Sequence, residues 1–177
     1  KDYVAFGTET RQLFSELTNQ LEDYLVSVPV NSDGKVHGVE LAYEQPIGEN
    51  FGVSANYTFA DGSTAHTWAD GSNNLLGTSR HTYNVGAWFE NEAFGARLSY
   101  TRRSEFLIGL SGANPYYQDD FGTLSAALSY KLNDQLSFSL DALNLNDPEI
   151  TYYQSSTIPT AFYSNGRQYY FNVRLKY

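Results

Sequence analysis

At 177 residues the chain has the length of one domain, and with neither Cys nor Met it offers no disulfide and no thiolate metal site. A net charge of -9 excludes the basic footprint of a nucleic-acid binder. No run of 18 apolar residues is present for a transmembrane helix, and no basic segment leading into an apolar stretch opens the chain, so neither a spanning helix nor a signal peptide is expected.

In chain order, residues 1–7 read as the end of a strand, with Val4 and Phe6 on one face. Within 9–24, Leu13, Phe14, Leu17 and Leu21 recur at helical spacing and predict a short amphipathic helix inside a long loop region spanning 9–34. Residues 24–30 are β-prone, and the turn-rich 31–34 follows. They are read as an extended approach to the next strand, in preference to an extra hairpin strand, because that keeps long loops on one side and short turns on the other. A weak alternation then runs through 36–45 (Val39, Leu41, Tyr43).

The strongest signal starts at Phe51. Phe51, Val53, Ala55, Tyr57 and Phe59 alternate with Gly52, Ser54, Asn56 and Thr58, which in a strand places one set on each face. The same period of two recurs in 80–90 (Tyr83, Val85, Ala87, Phe89), 94–103 (Phe94, Ala96, Leu98, Tyr100) and 122–131 (Leu124, Ala126, Leu128, Tyr130). It returns in 136–142 (Leu136, Phe138, Leu140) and in 167–177 (Tyr169, Phe171, Val173, Leu175, Tyr177). Connections alternate in length as well. Those at 46–50, 91–93 and 132–135 are short, whereas 61–79, 105–120 and 147–165 exceed ordinary hairpin loops. Pro46, Pro115, Pro148 and Pro159 are all placed in connections, where a missing backbone N–H does no harm.

Two architectures give every strand one oily face. A soluble sandwich turns that face onto a second sheet, and a membrane barrel turns it to lipid around a polar lumen. Aromatic residues near strand ends suit a bilayer interface, and the sorting of long and short connections matches outer loops and inner turns. The fold predicted is therefore all-β: an antiparallel transmembrane β-barrel segment of seven or eight strands.

Three segments carry a family resemblance. Residues 29–31 (Pro-Val-Asn) followed by 35–41 (Lys-Val-His-Gly-Val-Glu-Leu) resemble the N…G-x-E-L strand of TonB-dependent outer-membrane receptors. Residues 140–146 (Leu-Asp-Ala-Leu-Asn-Leu-Asn) resemble their penultimate strand, and 166–177 resemble their last strand with its terminal aromatic. Tyr100-Thr-Arg-Arg103 and the stretch 161–170 are similar to the Xanthomonas/Caulobacter-type receptors of that family. The resemblance implies a 22-stranded barrel with a plugged lumen, of which 1–177 is the carboxyl-terminal portion, without plug and earlier strands. It also implies residence in the bacterial outer membrane, contact with outer-membrane lipid, and coupling to the TonB complex through the plug. Uptake of a scarce solute, an oligosaccharide in that subgroup, follows from it too. A small autonomous outer-membrane barrel acting as an adhesin or structural protein, and a siderophore receptor, are the alternatives. Tyr169, Phe171, Val173, Leu175 and Tyr177 correspond to the terminal signal read by the barrel-assembly machinery during insertion.

No enzymatic constellation is present. His37, His66 and His81 lack metal-binding spacing, and Gly109-Leu-Ser-Gly112 followed by Ala113 is no nucleophile elbow. Asp-Gly-Ser at 61–63 and 70–72 offers oxygen ligands for calcium but is also common turn chemistry, and the turn is preferred; no metal and no cofactor are expected. The candidate ligand-binding residues lie in the long connections: Trp68 in the first, Asn114, Tyr116, Tyr117 and Asp119 in the second, Tyr152, Tyr153 and Tyr163 in the third. Flat rings beside amides and carboxylates can stack on a sugar face and hydrogen-bond its hydroxyls. The competing expectation is that these rings pack loop on loop.

Overall fold

The alternating segments fold side by side as antiparallel strands. The computed structural model describes residues 2–111, 114–155 and 158–177, and for residues 2, 3, 5, 6 and 155 the backbone alone. The expected Phe6 side-chain position and the 112–113 end of the Gly-Leu-Ser-Gly-Ala stretch thus lie outside the described residues. Among those described, the strands are β1 (Asp2–Ser15), β2 (Gln20–Ile47), β3 (Phe51–Thr64), β4 (His81–Glu90), β5 (Phe94–Arg103), β6 (Phe106–Ser111), β7 (Asn114–Gln118), β8 (Phe121–Lys131), β9 (Leu136–Leu143), β10 (Glu149–Ser155), β11 (Ile158–Ser164) and β12 (Gln168–Leu175). Eight of them form one open sheet in the order β1-β2-β3-β4-β5-β8-β9-β12, and four form a second sheet, β11-β10-β7-β6.

Register decides what the large sheet presents. Directly opposite residues share a face. One rung therefore runs Ile47, Phe51, Phe89, Ala96, Leu128, Leu140 and Phe171 across seven strands. The other face carries rungs such as Glu44, Ser54, Gly86, Ser99 and Ser125. The apolar side is not a sandwich interior: Leu41 is 61% exposed, Phe51 55% and Phe171 67%. A broad apolar face left open to its surroundings is what lipid contact requires.

Aromatic rings bracket that face. Near the short turns Phe51 lies 4.7 Å from Phe89, and Phe89 lies 6.0 Å from Phe94, centroid to centroid. Toward the long connections Tyr57 lies 5.1 Å from Tyr83 and packs near His81. Val53, Val85, Leu98 and Leu124 fill the interval. At about 3.3 Å per residue the two aromatic rows stand about 20 Å apart along β4, the scale of a membrane band with interfacial girdles.

The short turns have a common chemistry. Asn91 Oδ1 accepts the backbone N–H groups of Ala93 and Phe94 at 3.0 and 2.8 Å, and Asn133 Oδ1 accepts those of Gln135 and Leu136 at 2.9 and 2.8 Å. Gly48, at φ 67°, turns β2 into β3.

Three expectations need correction. No helix forms within 9–24: β1 pairs with β2 rung by rung from Asp2↔Asp33 to Ser15↔Gln20. The helical spacing rests on four residues, one of which, Leu17, sits in the connecting turn at 98% exposure. Ladder bonds and the β-branched Thr8, Thr10, Val26, Val28 and Val30 favour the hairpin. Nor is 31–34 a turn, since β2 runs through it; 24–30 is both hairpin arm and continuation of the sheet strand. Pro46 closes β2 opposite Gly52 rather than lying in a connection, and Pro115 and Pro159 lie in β7 and β11. The hairpin of β1 and the first half of β2 projects past the Gly34↔Thr64 rung on the side of the long connections.

Candidate ligand-binding surface

The long connections are built structures. The second and third each contain a hairpin, β6–β7 and β10–β11, and these join where Tyr152 and Tyr153 of β10 pair with Gln118 and Tyr117 of β7. The first connection folds onto them. Trp68 N–H donates to Ser72 O at 2.7 Å and Gly71 N–H returns to Trp68 O at 2.9 Å, with Gly71 at φ 80°. Gly77 N–H donates to Leu107 O at 2.8 Å, tying the first connection to β6.

The sheet so formed has two aromatic sides. On the inner side Trp68 (3% exposed), Leu107 and Tyr117 form a core with Leu76, Leu110 and Tyr153 against it. Trp68 Nε1 donates to Asn74 O at 2.9 Å, and Tyr117 stacks on Tyr153. On the outer side Tyr116 meets Tyr152 edge-on at 5.6 Å, and Tyr152 meets Tyr163 at 5.3 Å. Tyr163 is 52% exposed. The candidate rings thus separate: Trp68, Tyr117 and Tyr153 pack together within the loop layer, while the half-buried Tyr116 and Tyr152 and the exposed Tyr163 share the opposite side. Asn114 stands exposed at the tip of β6–β7, opposite Ser111. Asp119 is exposed beside β7; its N–H donates to Thr151 O and its Oδ1 accepts the N–H of Asp120 at 2.7 Å.

Polar contacts fix the inner side. Tyr117 OH donates to Asp70 Oδ2 at 2.7 Å and lies 2.9 Å from Ser72 Oγ, while Ser72 N–H donates to Asp70 Oδ1. Burial pushes the Asp70 carboxyl up, but these hydrogen bonds outweigh it and hold the group below the usual carboxylate range. Burial pushes the Tyr117 hydroxyl up, and donation to Asp70 adds to that. Tyr153 is raised by burial and by its hydrogen bond to Glu105. Arg103 supports the layer from the main sheet: Nε donates to Ser79 Oγ at 2.8 Å, and the guanidinium lies 3.7 Å from the centroid of Phe106. Arg103, Glu105 and Leu107 carry no local signal of their place in this layer, because Ser79, Tyr153 and Trp68, which give it to them, lie 24 to 48 positions away. Asp61 and Asp70 are engaged by protein groups, Asp61 by Arg80 at 2.7 Å and Asp70 as above, which is turn and strut chemistry.

Residues 2–145 match the family model described as TonB dependent receptor-like, beta-barrel. The chain belongs to the TonB-dependent receptor β-barrel family. Membership places it in the bacterial outer membrane and in a non-catalytic class of receptors. Among solved structures, the copper transporter OprC aligns over 98% of this chain and 26% of its own, at 16% identity and a TM-score of 0.66. The closed form of the ferric-catecholate import receptor Fiu from E. coli K12 aligns over 81% of this chain and 20% of its own, at 19% identity and a TM-score of 0.58. At such identities the likeness is one of fold. This chain spans about a quarter or less of either receptor's length. No curated protein matches the sequence. In this TonB-dependent receptor chain, β12 is the last strand of the eight-stranded sheet among the described residues, with Tyr169, Phe171, Val173 and Leu175 exposed on the apolar face and Tyr177 beyond its end. No described residue pairs β1 with β12, so the eight strands do not close on themselves as a small autonomous barrel would.

Proposed function

We propose that the chain is the carboxyl-terminal portion of a TonB-dependent receptor that takes up a scarce, uncharged, hydroxyl-rich solute, an oligosaccharide, across the outer membrane. The outer loops bind the solute. A plug, outside this chain, opens under the pull of the TonB complex, and the barrel-assembly machinery inserts the whole through its terminal strand. The chain itself binds and positions, with no covalent step.

The observation that supports the solute class is the row Tyr116–Tyr152–Tyr163, half-buried to exposed, set in loop segments that contain no Lys or Arg. Residues 61–79, 105–120 and 147–165 contain no Lys and no Arg, against Asp61, Asp70, Glu105, Asp119, Asp120, Asp147 and Glu149. An anionic ferric chelate would meet the carboxylates of these loops, while the nearest guanidiniums, Arg80 and Arg102, stand at the loop bases and are paired with Asp61 and Asp120. A copper ion would find neither Cys nor Met, the soft ligands that favour cuprous copper. A neutral saccharide needs only flat apolar rings and hydrogen-bonding groups, which Asn114, Gln118 and Asp119 supply nearby.

The test is glycan binding by the intact receptor, with Tyr116→Ala and Tyr152→Ala made together. Stacking on two rings contributes about 1 kcal/mol each by analogy with aromatic pairs, so affinity should fall about tenfold or more at unchanged surface abundance. Binding that survives this change, or that a ferric siderophore displaces, refutes the saccharide assignment and leaves the receptor assignment standing.

A further inference from the structure

The polar face of the main sheet carries one indole. Trp88 in β4 stands opposite Gly52 in β3 and Arg97 in β5, on the face of Ser54 and Ser99 and away from the apolar side. In a barrel wall that face is the lumen side. Its neighbour Phe89 belongs to the aromatic row near the short turns, so Trp88 lies toward that end of the sheet. The ring lies across Gly52, where an added Cβ would come within 2.3 Å of Trp88 Cε2 and Cζ2. The row above is equally shallow: at Gly86 an added Cβ would lie 2.9 Å from Ser54 Oγ.

Two open cavities flank the indole. One, of about 500 Å³, is lined by Glu44, Ser54, Asn84 and Ser99 together with Trp88 and Arg97. The other, of about 290 Å³, shares Trp88, Glu90 and Arg97 with the first and continues across the sheet to Ser129, Ser139 and Asp141. Together they form a trough on the polar face, and from Trp88 to Asn84 it follows β4 for about 13 Å. Its polar groups are free. Among the described residues nothing accepts the Trp88 indole N–H, and the side chains of Arg97, Glu44 and Glu90 have no ion pair or hydrogen bond.

This set of groups suits a polyhydroxylated ring. The indole face takes the C–H side of a sugar, while the guanidinium fork and the carboxylates take neighbouring hydroxyls through hydrogen bonds of the stronger, charge-assisted kind. A protein segment fits less well. On this face the trough offers one large apolar side chain and otherwise Ser, Glu, Asp and glycine, whereas protein interfaces are depleted in Ser, Glu and Asp.

We infer that Trp88, Arg97 and Glu44 form a second saccharide subsite, on the lumen wall near the inner mouth of the barrel, which a sugar chain occupies after leaving the outer loops. The inference rests on the reading of the solute as an oligosaccharide. The row Tyr116–Tyr152–Tyr163 belongs to the long connections and Trp88 lies near the short turns, so the two subsites stand at opposite ends of the sheet. The first captures the solute, and the second holds it before release.

The experiment compares equilibrium binding and uptake of a panel of radiolabelled malto-, cello- and xylo-oligosaccharides by cells carrying the intact receptor. Trp88→Ala should leave surface abundance and binding at the outer loops unchanged while uptake falls about tenfold. Trp88→Tyr keeps a flat ring and should recover most of the uptake. Gly52→Ala keeps the indole but takes its seat, and should lower uptake as well. Arg97→Gln alters an exposed side chain with no partner to lose; it should lower uptake severalfold, and it carries the test where Trp88→Ala does not insert. Wild-type uptake by inserted Trp88→Ala, or by Arg97→Gln in that second case, overturns the subsite and leaves the oligosaccharide reading standing. A wild-type receptor that neither binds nor imports any member of the panel removes that reading, and the subsite with it. Entry of vancomycin through Trp88→Ala into cells lacking TonB also overturns the subsite, because the indole would then be seating the plug.

Discussion

Tyr117 and Tyr153 stack across the β7–β10 junction with 5.5 Å between ring centroids and 18° between planes. They join the second and third long connections, and the Tyr117 hydroxyl reaches Asp70 in the first. One ring thus holds all three connections. Tyr117→Phe keeps the stack and removes the hydroxyl, which leaves Asp70 and Ser72 to find other partners at a cost of about 1 kcal/mol. Tyr117→Ala also removes a buried ring and should cost about 3 kcal/mol or more. Amide exchange across 68–76 in the intact receptor should rise modestly for Phe and steeply for Ala. Equal, small effects would mean that the first connection is held by other contacts.

The same cluster sets a pH window. Asp70 sits below its ordinary value in the folded loops, so its contribution is present above the unfolded carboxylate value, roughly 4, and is lost as pH falls through the folded value. Tyr117 and Tyr153 are raised, so the folded layer keeps protons that the open layer gives up above roughly pH 10, and stability falls as pH climbs past that point. Exchange protection of 68–76, corrected for intrinsic rates, should be flat across neutral pH and decline at both extremes. A midpoint between pH 6 and 8 would assign control of the layer to another group.

Gly38 explains the glycine of the 35–41 motif. A Cβ there would lie 2.1 Å from Phe59 O and 3.1 Å from Ala60 Cα, both backbone atoms of the paired strand. Backbone cannot rotate away as a side chain can, so Gly38→Ala forces β2 from β3. The cost should be about 2 kcal/mol or more, as for overpacking generally. Gly109, with nothing within 4 Å of an added Cβ, is the control. The denaturant midpoint of the intact receptor should drop for Gly38→Ala and stay within error for Gly109→Ala. No drop for the first would mean that the strands are less closely apposed than the ladder shows.

The main sheet was legible in the sequence because its information is local. Phe51 to Phe59 alternate strictly, and register then follows from short turns with few solutions. The β1–β2 hairpin was misread for the opposite reason. Leu13, Phe14, Leu17 and Leu21 give a helical spacing over a stretch too short to outweigh long-range ladder bonds with residues 20–33. The loop layer was only half legible. Its aromatic residues stood out, but whether a ring packs inward like Tyr117 or outward like its neighbour Tyr116 depends on pairing with β10, some 35 residues further on.

The 140–146 motif acts as a clasp over three strands, and this gives a last test. Asn146 Oδ1 accepts the N–H of Leu124 and its Nδ2 donates to Gly122 O, both at 2.8 Å, fixing the start of β8. Asn144 Nδ2 donates to Gly166 O at 2.7 Å, fixing the approach to β12. Asn144 itself adopts φ 59°, a left-handed conformation that Asn tolerates better than other side-chain-bearing residues. The two positions should respond differently. Asn146→Ala loses two hydrogen bonds without backbone strain, and about 1–2 kcal/mol of stability with them. Asn144→Gly loses one bond but keeps the conformation, whereas Asn144→Ala loses the bond and adds a left-handed penalty of about 1 kcal/mol. Unfolding midpoints of the intact receptor should therefore rank Asn144→Gly above Asn144→Ala. If the two coincide, or if the alanine variant is the more stable, the left-handed turn is not what this position is selected to make, and the clasp acts through its hydrogen bonds alone.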